Sequence, residues 1–88
     1  MLKARTVTQR LPSFDWVRQH ASEHKLTVDR HLFKNIGYYS VVADVNNWRD
    51  VHQWCKDNID KDEYTWTGEV FWFRDERHAL LFSLAWGT

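Results

Sequence analysis

The sequence predicts an α+β fold in a single domain covering residues 1–88. Three observations lead there. The run Val70-Phe71-Trp72-Phe73 has a period of two and gives way to helical spacing directly after Asp75. Trp48, Val51, Cys55 and Ile59 fall within a narrow arc when wound at roughly 100° per residue, the mark of an amphipathic helix. Asn35-Ile36-Gly37 offers a turn immediately before the β-rich stretch Tyr38–Ala43.

In chain order, Lys3–Leu11 reads as a strand with Thr6, Val7 and Thr8 as its β-branched centre. Pro12 then separates it from Ser13, a good N-cap for a helix from Phe14 to His24. Asp15 sits at the positive end of that helix, and Phe14, Val17 and Ala21 form its apolar stripe. Trp16 lies off the stripe. Leu26, Val28 and Leu32 alternate with polar neighbours and predict a strand that turns at Asn35–Gly37 into Tyr38–Ala43 as a hairpin. Asn47 is the predicted cap of the second helix, which runs to Ile59, and Asp57–Glu63 is a charged, solvated connection. Tyr64–Phe73 reads as one strand whose end is apolar on both faces, so that end should be central or covered.

Asp75 caps the last helix, Glu76–Trp86, with Gly87 as its C′ residue. From Ala79 onward only Ser83 is polar, and a helix apolar all round must be covered on more than one side. A strand with Leu80, Phe82, Leu84 and Trp86 on one face is the competing reading. The resulting order is β-α-β-β-α-β followed by an additional C-terminal apolar helix. Its first six elements match the split βαβ sandwich of ferredoxin-like domains. A terminal helix this apolar lacks enough partner surface in a chain of 88 residues, so a homodimer through it is expected.

A chain this short needs a dense core, and six Trp, five Phe and three Tyr supply one. Cys55, the only cysteine, excludes an intramolecular disulfide and points to a reducing compartment. The first residues lack the apolar stretch of a signal peptide and no run approaches a membrane span, so the expectation is a cytoplasmic protein without membrane contact. Formal net charge is zero, which removes the attraction that usually dominates nucleic-acid affinity. The two halves nevertheless differ, with seven basic against three acidic residues in 1–40 and five against nine in 41–88.

Two stretches resemble known families. Gly68-Glu-Val-Phe71-Trp-Phe73-Arg-Asp75-Glu-Arg-His-Ala79 is similar to a strand and helix of the RNA-recognition motif, although Thr67 stands where that family carries a basic residue. No stacking role is carried over to Phe71 or Phe73. The pattern Phe71-x-Phe73-x-Asp75-x-x-x-Ala79-x-x-Phe82-x-Leu84-x-Trp86-Gly87 resembles the C-termini of small aromatic-rich proteins encoded by bacteriophages. That resemblance implies a virus-encoded accessory protein acting on a host component in the host cytoplasm.

No set of residues has the spacing of a catalytic centre. His20 and His24 share a helix face that zinc could use if two further ligands arrived, with His52 and Cys55 as the candidates, but such pairs are common on solvated faces and no metal or cofactor is expected. Cys55 falls on an apolar stripe where burial makes a thiol inert, which argues against a His52–Cys55 thiol and base. Asp57, Asp60, Asp62 and Glu63 lack the ligand order and glycine of a calcium loop.

The aromatics remain. Trp48, Trp66, Trp72, Trp86, Phe71 and Phe82 are assigned to the core, whereas Trp16, Tyr38, Tyr39 and Trp54 lie at stripe margins or in the hairpin, where an amphipathic ring can touch a partner. With Arg5, Arg10 and Arg30 they form the candidate binding set of a non-enzymatic protein that binds an unidentified host protein. One alternative is a single-stranded RNA or DNA binder, with Tyr38, Tyr39 or Phe71 stacking on bases and Arg5, Arg10, Arg30 and Lys34 on phosphates. Another is a dimer that sequesters a nucleotide-like small ligand between its subunits.

Overall fold

A computed structural model describes residues 10–87 and gives an α+β domain. The element order is α1 (Phe14–Glu23), α2 (Arg30–Ile36), β1 (Tyr39–Val42), α3 (Trp48–Asn58), β2 (Tyr64–Thr67), β3 (Val70–Phe73) and α4 (Glu76–Trp86). The sheet is antiparallel in the order β1-β3-β2, with Tyr39 and Tyr64 both opposite Phe73, and Val42 and Thr67 both opposite Val70. The expected strand Lys3–Leu11 lies outside the described residues except for Arg10 and Leu11, which are not in a strand.

Three helices form where local signals place them. Ser13 caps α1 by accepting from the Trp16 N–H at 3.1 Å, and Phe14, Val17 and Ala21 are buried. The predicted stripe of α3 is inside the protein, with Val51 and Cys55 wholly buried. Its Asn47 makes no side-chain cap; Asp44 acts one turn earlier, accepting from the N–H of Asn46 and from Asn47 Nδ2. Asp75 caps α4 as expected, and the competing strand reading of that segment does not hold.

Two predicted strands are corrected. Leu26–Leu32 does not form the first arm of a hairpin, because Asp29 accepts from the Leu32 N–H at 3.0 Å and starts a helix instead. Gly37, at φ +105°, ends that helix in the left-handed region that glycine adopts without steric penalty. Leu32, Phe33 and Ile36 then share a face, Phe33 is buried, and Leu26 and Val28 stay exposed. Tyr64–Phe73 is two strands and not one. Gly68 has φ +58° while Glu69 does not share the positive sign, the pattern of a two-residue type II′ hairpin turn.

Folding this segment back makes β3 the central strand, so its side chains meet protein on both faces. Phe71 and Phe73 point one way, into a core with Val51, Cys55, Ile59, Tyr64, Ala79 and Phe82. Trp72 points the other way, into a second core with Phe14, Val17, Phe33 and Tyr38. The sheet is therefore covered by α1 and α2 on one side and by α3 and α4 on the other. A ferredoxin-like sandwich carries its helices on one face only, and this arrangement differs because Trp72 is apolar and needs cover of its own.

Gly87 is extended at φ −68° and is not a left-handed C′ residue. It pairs with Ala43 in an isolated antiparallel bridge, tying the end of α4 to the residue after β1. Among the described residues no helix is long and apolar enough to cross a membrane.

Candidate functional site

Among the described residues the most exposed large apolar side chain, Leu84, is on α4. Ala79 and Phe82 face the sheet, and Phe82 packs its ring on Phe71 and Phe73 at centroid distances of 4.8 and 5.1 Å. Opposite them Leu80, Leu81 and Leu84 are 60%, 55% and 78% exposed. Arg77, Leu80, Leu81 and Leu84 lie within one stripe at helical spacing, so the leucines form a continuous strip with Arg77 at its N-terminal end. Arg77 is held by Asp75, whose carboxylate accepts from Arg77 Nη2 at 2.9 Å and from its N–H at 2.9 Å. The Arg77 side chain and backbone N–H together hold the Asp75 carboxyl down at about 2.

Next to the start of α4 is a cleft of about 440 Å³ lined by Arg10, Leu11, Tyr39 and Arg74–Arg77. Its arginines are already committed. Glu63, which the charged-connection reading left in solvent, is buried. It accepts from Arg10 and, at 3.1 Å, from Arg74 Nη1. Arg74 Nε also donates to the Leu11 carbonyl at 2.7 Å. The lining pairs cations and carboxylates, so the cleft offers an incoming anion little net charge.

A second, smaller groove of about 280 Å³ lies between α2 and the sheet, lined by Arg30, His31, Lys34, Ser40, Val42, Val70 and Trp72. Of its ionisable side chains all three are basic. Here the folded chain keeps the Arg30 and Lys34 pair that the nucleic-acid alternative needs.

The candidate binding set is dispersed. Trp16 is 54% exposed on α1 and stacks on His20, with ring centroids 4.7 Å apart. Tyr39 is exposed in the cleft beside Arg10. Trp54 is half-buried against Phe82, at the edge of the core. Arg30 is in the groove and Arg5 lies outside the described residues. Tyr38 is corrected from surface to core: it packs on Phe14 and Phe33, and burial pushes its hydroxyl up to about 12 despite nearby Arg74 and Arg18. Trp66 is corrected in the other direction, since it is 46% exposed on edge strand β2.

The weighed chemistries separate as well. Cys55 is wholly buried, and burial pushes its thiol up to about 12, the opposite of what a nucleophile requires. His52 is wedged edge-on between Trp48 and Trp66 at 4.6 and 4.4 Å, and burial followed by Lys56 lowers its pKa. No protein-family model, curated protein or solved structure matches the chain. Sequence reasoning missed the leucine strip because a helix apolar all round gives no sign of which side the sheet will take.

Proposed function

We propose that the chain is a non-enzymatic accessory protein that acts by protein contact, as a homodimer joined through α4. The observation that carries the reading is the exposed strip Leu80, Leu81 and Leu84. Contiguous exposed apolar patches larger than about a few hundred Å² are rare on monomeric proteins and mark contact sites.

A second copy fits this strip. About a two-fold axis near Leu80 and Leu81, two α4 helices run antiparallel, and Leu84 of one lies against the partner's Arg77. The last turn of α4 has no basic residue of its own, so the partner's Arg77 would complement the negative end of the helix. Zero net charge leaves no bulk repulsion between copies. A standard interface buries about 800 Å² per partner, so the contact must extend from the leucines to their neighbours.

The phage resemblance of residues 71–87 makes a host protein the expected target of the dimer. Sedimentation velocity on wild type and on Leu84→Asp tests the dimer: a wild-type dimer at micromolar concentration and a folded monomeric variant support it. A monomeric wild type at the highest soluble concentration refutes it. Host contact is tested by copurification from host cells, followed by direct binding between the two purified proteins; failure of direct binding removes that part.

The groove lined by Arg30, His31 and Lys34 supports single-stranded nucleic-acid binding as a second reading. It ranks lower because Tyr38 and Phe71, two of its three proposed stacking rings, are buried, the exposed third, Tyr39, lines the other cleft, and Arg10 is paired with Glu63. Affinity that falls steeply with salt and is lost in Lys34→Glu would promote it above the first.

A further inference from the structure

We infer that His20, Glu23 and His24 form a binding site for a borderline divalent transition-metal ion, with zinc as the reference ion. The ligand atoms of the three side chains lie within 4.8 Å of one another. Rotamer adjustment of the exposed Glu23 and His24 toward the half-buried His20 is enough to close that spacing around an ion with bonds of about 2.0–2.2 Å.

The backbone sets the geometry. His24 donates its N–H to the His20 carbonyl at 3.1 Å, so one full helical turn separates the two imidazoles, and their ring centroids are 4.3 Å apart. Glu23 is at i+3 from His20, a spacing that brings side chains together on a helix, and directly precedes His24. Its only side-chain hydrogen bond among the described residues is a long one, with Gln19 Nε2 donating to Oε2 at 3.5 Å, which leaves Oε1 for a metal.

Two further features favour a cation here. The site is at the C-terminal end of α1, where the helix carries partial negative charge, and Glu23 adds a full one. Trp16 stacks nearly parallel to His20, at 10°, and restrains the imidazole before any ion arrives. Two imidazoles and one carboxylate suit zinc and its neighbours better than calcium or magnesium, which prefer oxygen alone. Three protein ligands leave a coordination position open to water or to a group on a partner.

The ligand set differs from the one that the sequence suggests. Cys55 is sealed in the α3 core and His52 is held between Trp48 and Trp66, so neither joins the histidine pair. Glu23 takes their place because it lies on the same helix.

The test is calorimetric titration of Zn²⁺ into untagged protein, with Cu²⁺ quenching of tryptophan fluorescence as the local readout. Binding at one equivalent, weakened at least about tenfold in both His20→Ala and His24→Ala, is the expected result. Trp16→Phe should keep the zinc binding and lose most of the copper quenching, since Trp16 is the ring against His20. Far-UV circular dichroism confirms that the variants remain folded. Absence of saturable zinc binding, or affinity unchanged in both histidine variants, overturns the site. An unchanged Glu23→Gln overturns the carboxylate's part in it.

Discussion

Phe82 and Leu84 are two residues apart on α4, and the structure predicts opposite consequences of truncating them. Phe82 is fully buried against Phe71, Phe73 and Trp54. Phe82→Ala removes a ring from a core that relaxes only partly around the gap, at a cost of about 3–5 kcal/mol. At roughly 0.05–0.15 kcal/mol per residue, a chain of 88 residues has a total stability of only ~4–13 kcal/mol. The variant should therefore be close to unfolded, with a melting temperature at least ~12 °C lower if it folds at all. Phe82→Leu, which keeps most of the volume, should lose less and remain measurable.

Leu84 is 78% exposed, so Leu84→Ala should change monomer stability by no more than about 0.5 kcal/mol. At concentrations where the proposed dimer forms, the same variant should lose the concentration-dependent part of its stability. Urea unfolding followed by circular dichroism and tryptophan fluorescence, at submicromolar and at high protein concentration, measures both. A Phe82→Leu loss no larger than that of Leu84→Ala at low concentration would refute the orientation of α4.

Three other outcomes are expected. Asp75→Ala removes the α4 cap and should cost about 0.5–2 kcal/mol in chemical denaturation. Because Asp75 is held at about 2 when folded, below its ordinary 3.8, its contribution is complete above pH 3.8 and is lost as the pH falls toward 2, a limb that Asp75→Ala should flatten in acid titrations. Cys55 and Tyr38 are both pushed up to about 12 by burial, from 9.0 and 10.0, so their contributions are intact below pH 9 and disappear as the pH rises toward 12; alkaline unfolding read by thiol reactivity and tyrosinate absorbance should be coupled. Gly87→Ala places a Cβ 2.6 Å from the Ser83 carbonyl oxygen, so it should lose ~1–3 kcal/mol and show faster amide exchange in the last turn of α4.

The helix α2 was within reach of the sequence. Asp29 three residues before Leu32 and Gly37 just after Ile36 are start and stop signals, and Leu32, Phe33 and Ile36 have helical spacing. The alternation of Leu26, Val28 and Leu32 competes with them and carries no information about burial. The hairpin at Gly68 was legible in part, since a glycine inside a β pattern is a turn signal. The aromatics on both sides of it support a single long strand equally well.

By itself the sequence determined α1 and α3 with their stripes, the extent of α4, the caps at Ser13 and Asp75, and a β3 apolar on both faces. These features depend on residues within about one helical turn or on strict alternation, and such interactions are already present in the local chain. Only the tertiary structure decided that α1 and α2 lie opposite α3 and α4, that Tyr38 is inside and Trp66 at the edge, and that the leucines of α4 face outward. It also buried Glu63 between Arg10, 53 positions away, and Arg74, whose guanidinium reaches the Leu11 carbonyl across 63. Burial is decided by which distant segments meet, and local periodicity is the same before and after that meeting.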